Sequence, residues 1–135
     1  MTILLTGGYG HAGRLLARLL WQARPDLDLI LAGRDAARAE TYAAELAALP
    51  GPGRVRGLGL DLSHEQHLRQ VLQDVDLLVV ASSTLAYTRI VAQAALDTDT
   101  DYLDVLLSTS DKHSILRELA PEIQARGRTF ITDGG

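Results

Sequence analysis

The stretch Thr2-Ile3-Leu4-Leu5-Thr6-Gly7-Gly8-Tyr9-Gly10-His11-Ala12-Gly13 decides how the rest of the chain is read. A short apolar run, residues 2–6, stops at glycine. An amphipathic segment, residues 10–22, follows at once. In the G-x-G-x-x-G register the glycines are Gly8, Gly10 and Gly13. Gly8 permits the tight turn out of the first strand. Gly10, without a side chain, lets a pyrophosphate approach the backbone. Gly13 lets the helix pack against the strand. The helix start then offers free N–H groups and a partial positive charge to the phosphates. Gly7, Tyr9, His11 and Ala12 belong to the same candidate turn. Ala12, Leu15, Leu16, Leu19 and Leu20 recur at helical spacing and are the expected buried face of that helix.

Outward from this turn, apolar runs and helical segments alternate to the end of the chain. Residues 27–32 form a second run, ended by Gly33. Residues 35–48 read as a helix that Asp35 can cap, with an alanine-rich body suited to close packing on a sheet. Pro50-Gly51-Pro52-Gly53 is turn punctuation. Residues 54–60 are a weaker third strand. Ser63 is the expected start of the next helix, with Gln66 completing a capping box and Leu68, Val71 and Leu72 as its buried stripe. Residues 75–81 are the most apolar strand. Residues 84–96 form a helix, residues 101–105 a fifth strand, 110–126 a helical region and 128–132 a sixth strand. Pro121 predicts a kink or break in the last helix. Strict alternation implies parallel strands joined by helical crossovers. Continuously apolar strands imply a sheet covered on both faces. The expected fold is α/β: a doubly wound, three-layer Rossmann fold with a six-stranded parallel sheet in the order 3-2-1-4-5-6.

At 135 residues, 47% hydrophobic and 22% charged, the chain has the composition of one globular domain, residues 1–135. It has no cysteine, which excludes disulfide scaffolds, thiolate zinc sites and cysteine nucleophiles. A net charge of −4 gives no electrostatic case for a nucleic-acid or anionic-membrane partner. With 4% aromatic residues, stacking platforms for single-stranded nucleic acid are not expected. The apolar run Ile3-Leu4-Leu5 is too short for a signal peptide, and no stretch reaches the ~18 apolar residues of a membrane span. A soluble, cytoplasmic protein is expected. One lysine among the basic residues, and no asparagine, fit the coding bias of a GC-rich bacterial source.

The glycine turn sits in the context that gives it meaning: after a strand, at the start of an amphipathic helix. A unit of this kind binding NAD places Asp or Glu at the tip of its second strand, where it holds the ribose 2′-hydroxyl. That tip here is Gly33, with Arg34 directly after it. A guanidinium pairs with a 2′-phosphate, and the missing carboxylate removes a repulsion. NADP is therefore expected over NAD. Asp35 is late for the ribose and serves better as a helix cap. Asp61 and Leu62 follow the third strand beside the expected adenine edge, and Asp61 reads equally as a turn residue. Ala81, Ser82 and Ser83 follow the fourth strand at the crevice where a dinucleotide crosses the sheet.

Several segments, in order, resemble the NADP-binding domain of saccharopine dehydrogenase-like proteins. They are GGYGHAG (7–13), LILAGRD (29–35), LDLS (60–63), VDLLVVASS (75–83) and DYLDV (101–105). The resemblance spans nearly the whole chain. It implies an oxidoreductase with a second, substrate-binding domain after this one, expected beyond residue 135 and absent from these residues. It also implies that Ser82, Ser83, Tyr102 and Asp104 lie toward the nicotinamide. The run Asp97-Thr98-Asp99-Thr100-Asp101 departs from the family's pattern. It fails as an EF-hand loop, lacking glycine at the sixth position and glutamate at the twelfth, and reads as a solvated acidic turn.

Thr6, Gly7, Gly10 and Gly13 also fit T-G-x-x-G-x-x-G, which resembles the short-chain dehydrogenase fingerprint. The Tyr-x-x-x-Lys pair of those enzymes is missing, since the only lysine is Lys112 and Ser108 stands four residues before it. His11, His64, His67 and His113 show no metal spacing, and His64 and His67 read as exposed helix residues. No G-x-S-x-G and no G-K-[ST] is present, which argues against esterase and P-loop chemistry. No side chain combines a proton-transfer role with a tuning partner. Asp104 comes nearest and reads equally as a turn cap. The alternative function is a stand-alone dinucleotide-binding or sensing module, of the NmrA-like atypical short-chain type, without catalysis.

Overall fold

A computed structural model describes residues 1–134. Its described residues form β1 (Thr2–Thr6), α1 (His11–Ala23), β2 (Asp28–Gly33), α2 (Ala36–Ala47), β3 (Arg54–Gly59), α3 (Glu65–Leu72), β4 (Leu77–Val80), α4 (Thr88–Asp97), β5 (Asp101–Asp104), α5 (Ser110–Ala125) and β6 (Phe130–Ile131). A single 3-10 turn, Leu85–Tyr87, precedes α4. The six strands make one parallel sheet in the order β3-β2-β1-β4-β5-β6, as the alternating pattern predicts.

Successive residues of β1 face opposite sides, and each side has its own core. Leu4 packs with Ile30, Leu68, Leu72, Leu78 and Val91 on the α3 and α4 side. Ile3 and Leu5 pack with Ala17, Trp21, Leu29, Tyr42 and Leu46 on the α1 and α2 side. This explains why the middles of β1 and β2, and all of β4, are continuously apolar rather than alternating.

Four local expectations are corrected. The buried face of α1 is Gly13, Ala17 and Trp21, with Leu16 and Leu20 half-buried. Ala12 is exposed, and Leu15 and Leu19 stand 60% and 52% exposed. The glycine that lets α1 approach the turn also fixes which side of the helix faces the sheet, and Ala17 and Trp21, which follow it at helical spacing, are buried in place of Leu15 and Leu19. Ser63 does not cap α3. Its amide and hydroxyl both donate to Asp61 Oδ1, at 2.9 and 2.7 Å, and the helix begins after His64 with no side-chain cap. Pro121 does not break α5, which runs through it. The strands are also shorter than their apolar runs, since β4 stops before Ala81 and β6 spans two residues.

Asp35 caps α2 as expected, accepting from the Arg38 amide at 3.0 Å. The acidic run before β5 is tied down by arginines. Asp97 meets Arg69 at 2.6 Å, and Asp99, in the left-handed region at φ 54°, meets Arg126 at 3.4 Å. Asp101 accepts the Thr129 amide at 2.9 Å.

Candidate cofactor cleft

The carboxyl ends of β1, β2, β3 and β4 open onto one cleft of about 720 Å³. In this strand order β1 is the switch point, because the chain crosses to β2 on one side and β4 on the other. Gly7, Tyr9, Gly10, His11 and Ala12 line the cleft from the turn. Gly33 and Arg34 line it from β2, Asp61 and Leu62 from the end of β3, and Ala81, Ser82 and Ser83 from the end of β4. Gly8, Gly13 and Asp35 lie outside it. Thr6, Leu60, Thr84, Ala86 and Tyr87 also line it and are not among the expected cofactor-binding residues, although Thr6 is part of the short-chain fingerprint and Leu60 part of LDLS. Thr6 carries a legible signal, as the last residue before the glycines.

The duties of the glycines differ from the sequence expectation at one point. The turn residue in the left-handed region is Gly7, at φ 72°, and not Gly8. A Cβ on Gly7 would come within 2.8 Å of the Ser82 amide nitrogen, so glycine there also lets the turn meet β4. Gly8 is buried against Leu31 and the Leu5 carbonyl. A Cβ on Gly13 would overlap the Gly7 carbonyl, consistent with close packing of α1 on the turn.

Gly10 differs from the other three. A Cβ there would meet only the Gly7 oxygen, at 3.1 Å, and otherwise open space. It is the N-cap of α1 and supplies no side-chain cap. The first α1 hydrogen bond runs from the Arg14 amide to the Gly10 carbonyl at 2.9 Å. The amides of His11, Ala12 and Gly13 therefore precede the hydrogen-bonded ladder. An uncapped helix start beside an open glycine fits a pyrophosphate, and the residues present fit a dinucleotide.

Hydroxyls continue the cleft wall. Thr6 Oγ1 and Ser82 Oγ are 3.2 Å apart, and Ser82 Oγ and Thr84 Oγ1 are 3.1 Å apart. Arg34 is exposed at the tip of β2. Hydrogen bonds from Ser63 hold the Asp61 carboxyl below the usual carboxylate range, with smaller help from His64 and Arg34. One oxygen of Asp61 is thus committed to its own turn.

A second polar cluster lies at the ends of β5 and β6, away from the cleft lining. Asp104 is wholly buried, and Lys112, on α5, is 1% exposed. The Lys112 ammonium donates to Asp104 at 2.9 Å, to Asp133 at 2.6 Å and to the Leu106 carbonyl at 3.2 Å. The Tyr102 and Thr132 hydroxyls donate to the other Asp104 oxygen at 2.8 and 2.9 Å. Burial pushes the Asp104 carboxyl up, but the bonds from Lys112, Tyr102 and Thr132 outweigh it and hold it low. Asp104 therefore does have tuning partners, contrary to the sequence expectation. It also accepts the Leu106 amide at 3.2 Å, the turn-capping part foreseen for it.

His113 Nε2 meets both Ser108 Oγ, at 3.3 Å, and Asp133, at 2.7 Å. Hydrolase relays use the two ring nitrogens separately, so this arrangement does not form one. His64 and His67 are both exposed. Among the described residues no group of three His, Cys, Asp or Glu side chains is placed to hold a metal, and no helix is long and apolar enough to cross a membrane.

Sheet order, switch-point cleft and glycine turn define a dinucleotide-binding domain of the Rossmann type. Residues 3–131 match the saccharopine dehydrogenase NADP binding domain, and the chain belongs to that family of NADP-binding domains. No curated protein matches it significantly in sequence. Among solved structures it is similar to apo saccharopine dehydrogenase (L-Glu forming) from Saccharomyces cerevisiae. Identity is 24% and the TM-score 0.75, over 99% of this chain and 27% of that one. It is also similar to the NADPH-dependent quinone oxidoreductase QOR2 from Escherichia coli, complexed with NADPH. There the identity is 22% and the TM-score 0.69, over 96% and 47% of the two chains. The NADP(H) complex of Citrobacter sp. triphenylmethane reductase gives 16% and 0.68, over 96% and 48%. At these identities the likeness shows a shared fold. The chain spans about a quarter to a half of the length of these three proteins.

Proposed function

We propose that this domain holds NADP across the carboxyl edge of its sheet for an oxidoreductase. The observation that carries this is the convergence of the open glycine Gly10, the uncapped start of α1 and the exposed Arg34 on one cleft. Gly7, Tyr9, Gly10, His11 and Ala12 receive the pyrophosphate, with Gly8 and Gly13 packing behind them. Gly33 and Arg34 receive the 2′-phosphorylated ribose, and Asp35 fixes the start of α2 beside it. Asp61 and Leu62 border the adenine. Ala81, Ser82 and Ser83 leave room for the nicotinamide half and offer hydroxyls to its ribose.

NADP when bound supplies a hydride. This chain's residues bind and orient the carrier. Asp104 and Lys112 spend their bonds on each other and on neighbouring groups, so neither is placed to pass a proton to a substrate. A substrate must sit ~3–3.5 Å from the reacting carbon in a site that excludes water. We assign that second wall to a substrate-binding domain following residue 135. Residues 1–135 alone then bind the dinucleotide and turn nothing over.

Titration calorimetry with NADPH and NADH tests the site. Saturable binding, tighter for NADPH, is the expected result. No binding of either removes the dinucleotide reading, and tighter NADH binding removes the part given to Arg34. Steady NADPH oxidation by residues 1–135 with an imine or saccharopine-type substrate contradicts the assignment of substrate chemistry elsewhere.

A further inference from the structure

Gly33 ends β2, where a sheet of this kind carries the acidic side chain that selects NAD. In sequence, glycine there is only an absence. In the structure the space is filled. A Cβ on Gly33 would lie 2.5 Å from Tyr9 Cζ and 2.6 Å from the Tyr9 phenolic oxygen. The backbone itself does not ask for glycine, because the positive-φ glycines are Gly7 and Gly127. Tyr9 is also tethered where it stands. Its hydroxyl accepts the Asp35 amide at 2.8 Å, and the Arg38 guanidinium lies 4.9 Å from its ring centroid. The ring thus separates the cleft from a hollow on the α2 side that Asp35 and Arg38 also line.

We infer that Tyr9 is a specificity-determining residue, whose ring occupies the side-chain volume at the tip of β2 and shuts out the carboxylate an NAD site needs. Arg34 then meets the ribose as an uncontested cation. The inference rests on the dinucleotide reading of the cleft. It makes the choice of cofactor a property of a pair, Tyr9 and Gly33, contributed by two separate loops.

Calorimetry with NADH and NADPH on the whole 135-residue chain tests it, using Gly33→Asp, Tyr9→Ala/Gly33→Asp and Tyr9→Phe/Gly33→Asp. The carboxylate alone, blocked by the ring, is expected to leave NADH affinity within about threefold of wild type. With Tyr9→Ala it is expected to raise NADH affinity about tenfold over the single variant, the worth of one charged hydrogen bond. Tyr9→Phe keeps the ring but loses its hydroxyl tether to the Asp35 amide, and is expected to fall between Gly33→Asp alone and the Tyr9→Ala double variant. A single Gly33→Asp variant that binds NADH as well as the Tyr9→Ala double variant overturns the inference while the cleft reading stands. Wild-type protein that binds neither dinucleotide overturns both. A melting cycle needing no cofactor guards against a misfolded aspartate variant. Gly33→Ala is expected to lower the Tm in the Tyr9 background and not in Tyr9→Ala. An equal drop in both backgrounds overturns the inference.

Discussion

Gly10 and Gly13 stand three residues apart in one turn, yet substitution should separate them. Gly10 has ordinary extended angles, φ −74° and ψ 175°, and a Cβ there would meet only the Gly7 oxygen, at 3.1 Å. Gly10→Val is therefore expected to fold at a cost below about 1 kcal/mol, for the poorer N-cap, and to bind NADPH at least about tenfold more weakly, because the side chain takes the pyrophosphate's approach. Gly13→Ala is expected to cost about 1–3 kcal/mol, as overpacking does when neither neighbour can yield. Its Cβ meets backbone, namely the Gly7 carbonyl group. Urea titration and calorimetry on the two variants check both halves. Equal loss of stability would show that the turn responds as one unit.

Among the elements, the ends of β5, β6 and α5 depend on charge. Hydrogen bonds from Lys112 and then His113 hold the Asp133 carboxyl at about 2, and Asp104 is also held low. A carboxylate lowered in the folded state stabilises fully above its unfolded value near ~4, and loses that contribution as pH falls toward its folded value. Lys112 is raised, the bonds to Asp133 and Asp104 outweighing burial. Its contribution is complete below the unfolded value near ~10 and is lost as pH rises through the folded one. Stability is expected to be level through neutral pH and to fall between about pH 4 and 2. Asp133→Asn is expected to make that acid limb shallower, as read from urea midpoints at each pH. An unchanged slope would remove Asp133 from the account.

For the whole molecule, one sheet serves two cores, so neither side should open alone. Trp21 is the sole tryptophan and is 2% exposed in the core shared by α1, α2 and the sheet. Its emission is expected to shift red on unfolding at the same urea concentration at which far-UV circular dichroism is lost. A tryptophan transition that precedes the dichroism would mean that the α1 and α2 layer separates first.

Sequence by itself determined the order of elements, the parallel sheet and the location of the cleft. Those follow from apolar runs, helical spacing and one glycine turn, all of them local signals. Asp35 as a cap of α2 was legible for the same reason, since a cap reaches only three residues along the chain. Only the tertiary structure decided the rest. Leu15 and Leu19 read as core because periodicity finds an apolar stripe but not the direction in which close packing at Gly13 turns it. Lys112 read as a missing catalytic partner, yet it sits buried between Asp104, 8 positions away, and Asp133, 21 positions away. Tyr9 read as one more turn residue until β2 brought Gly33 beneath its ring. Packing, burial and pairing across the sheet depend on residues distant in the chain, and no local pattern encodes which of them will meet.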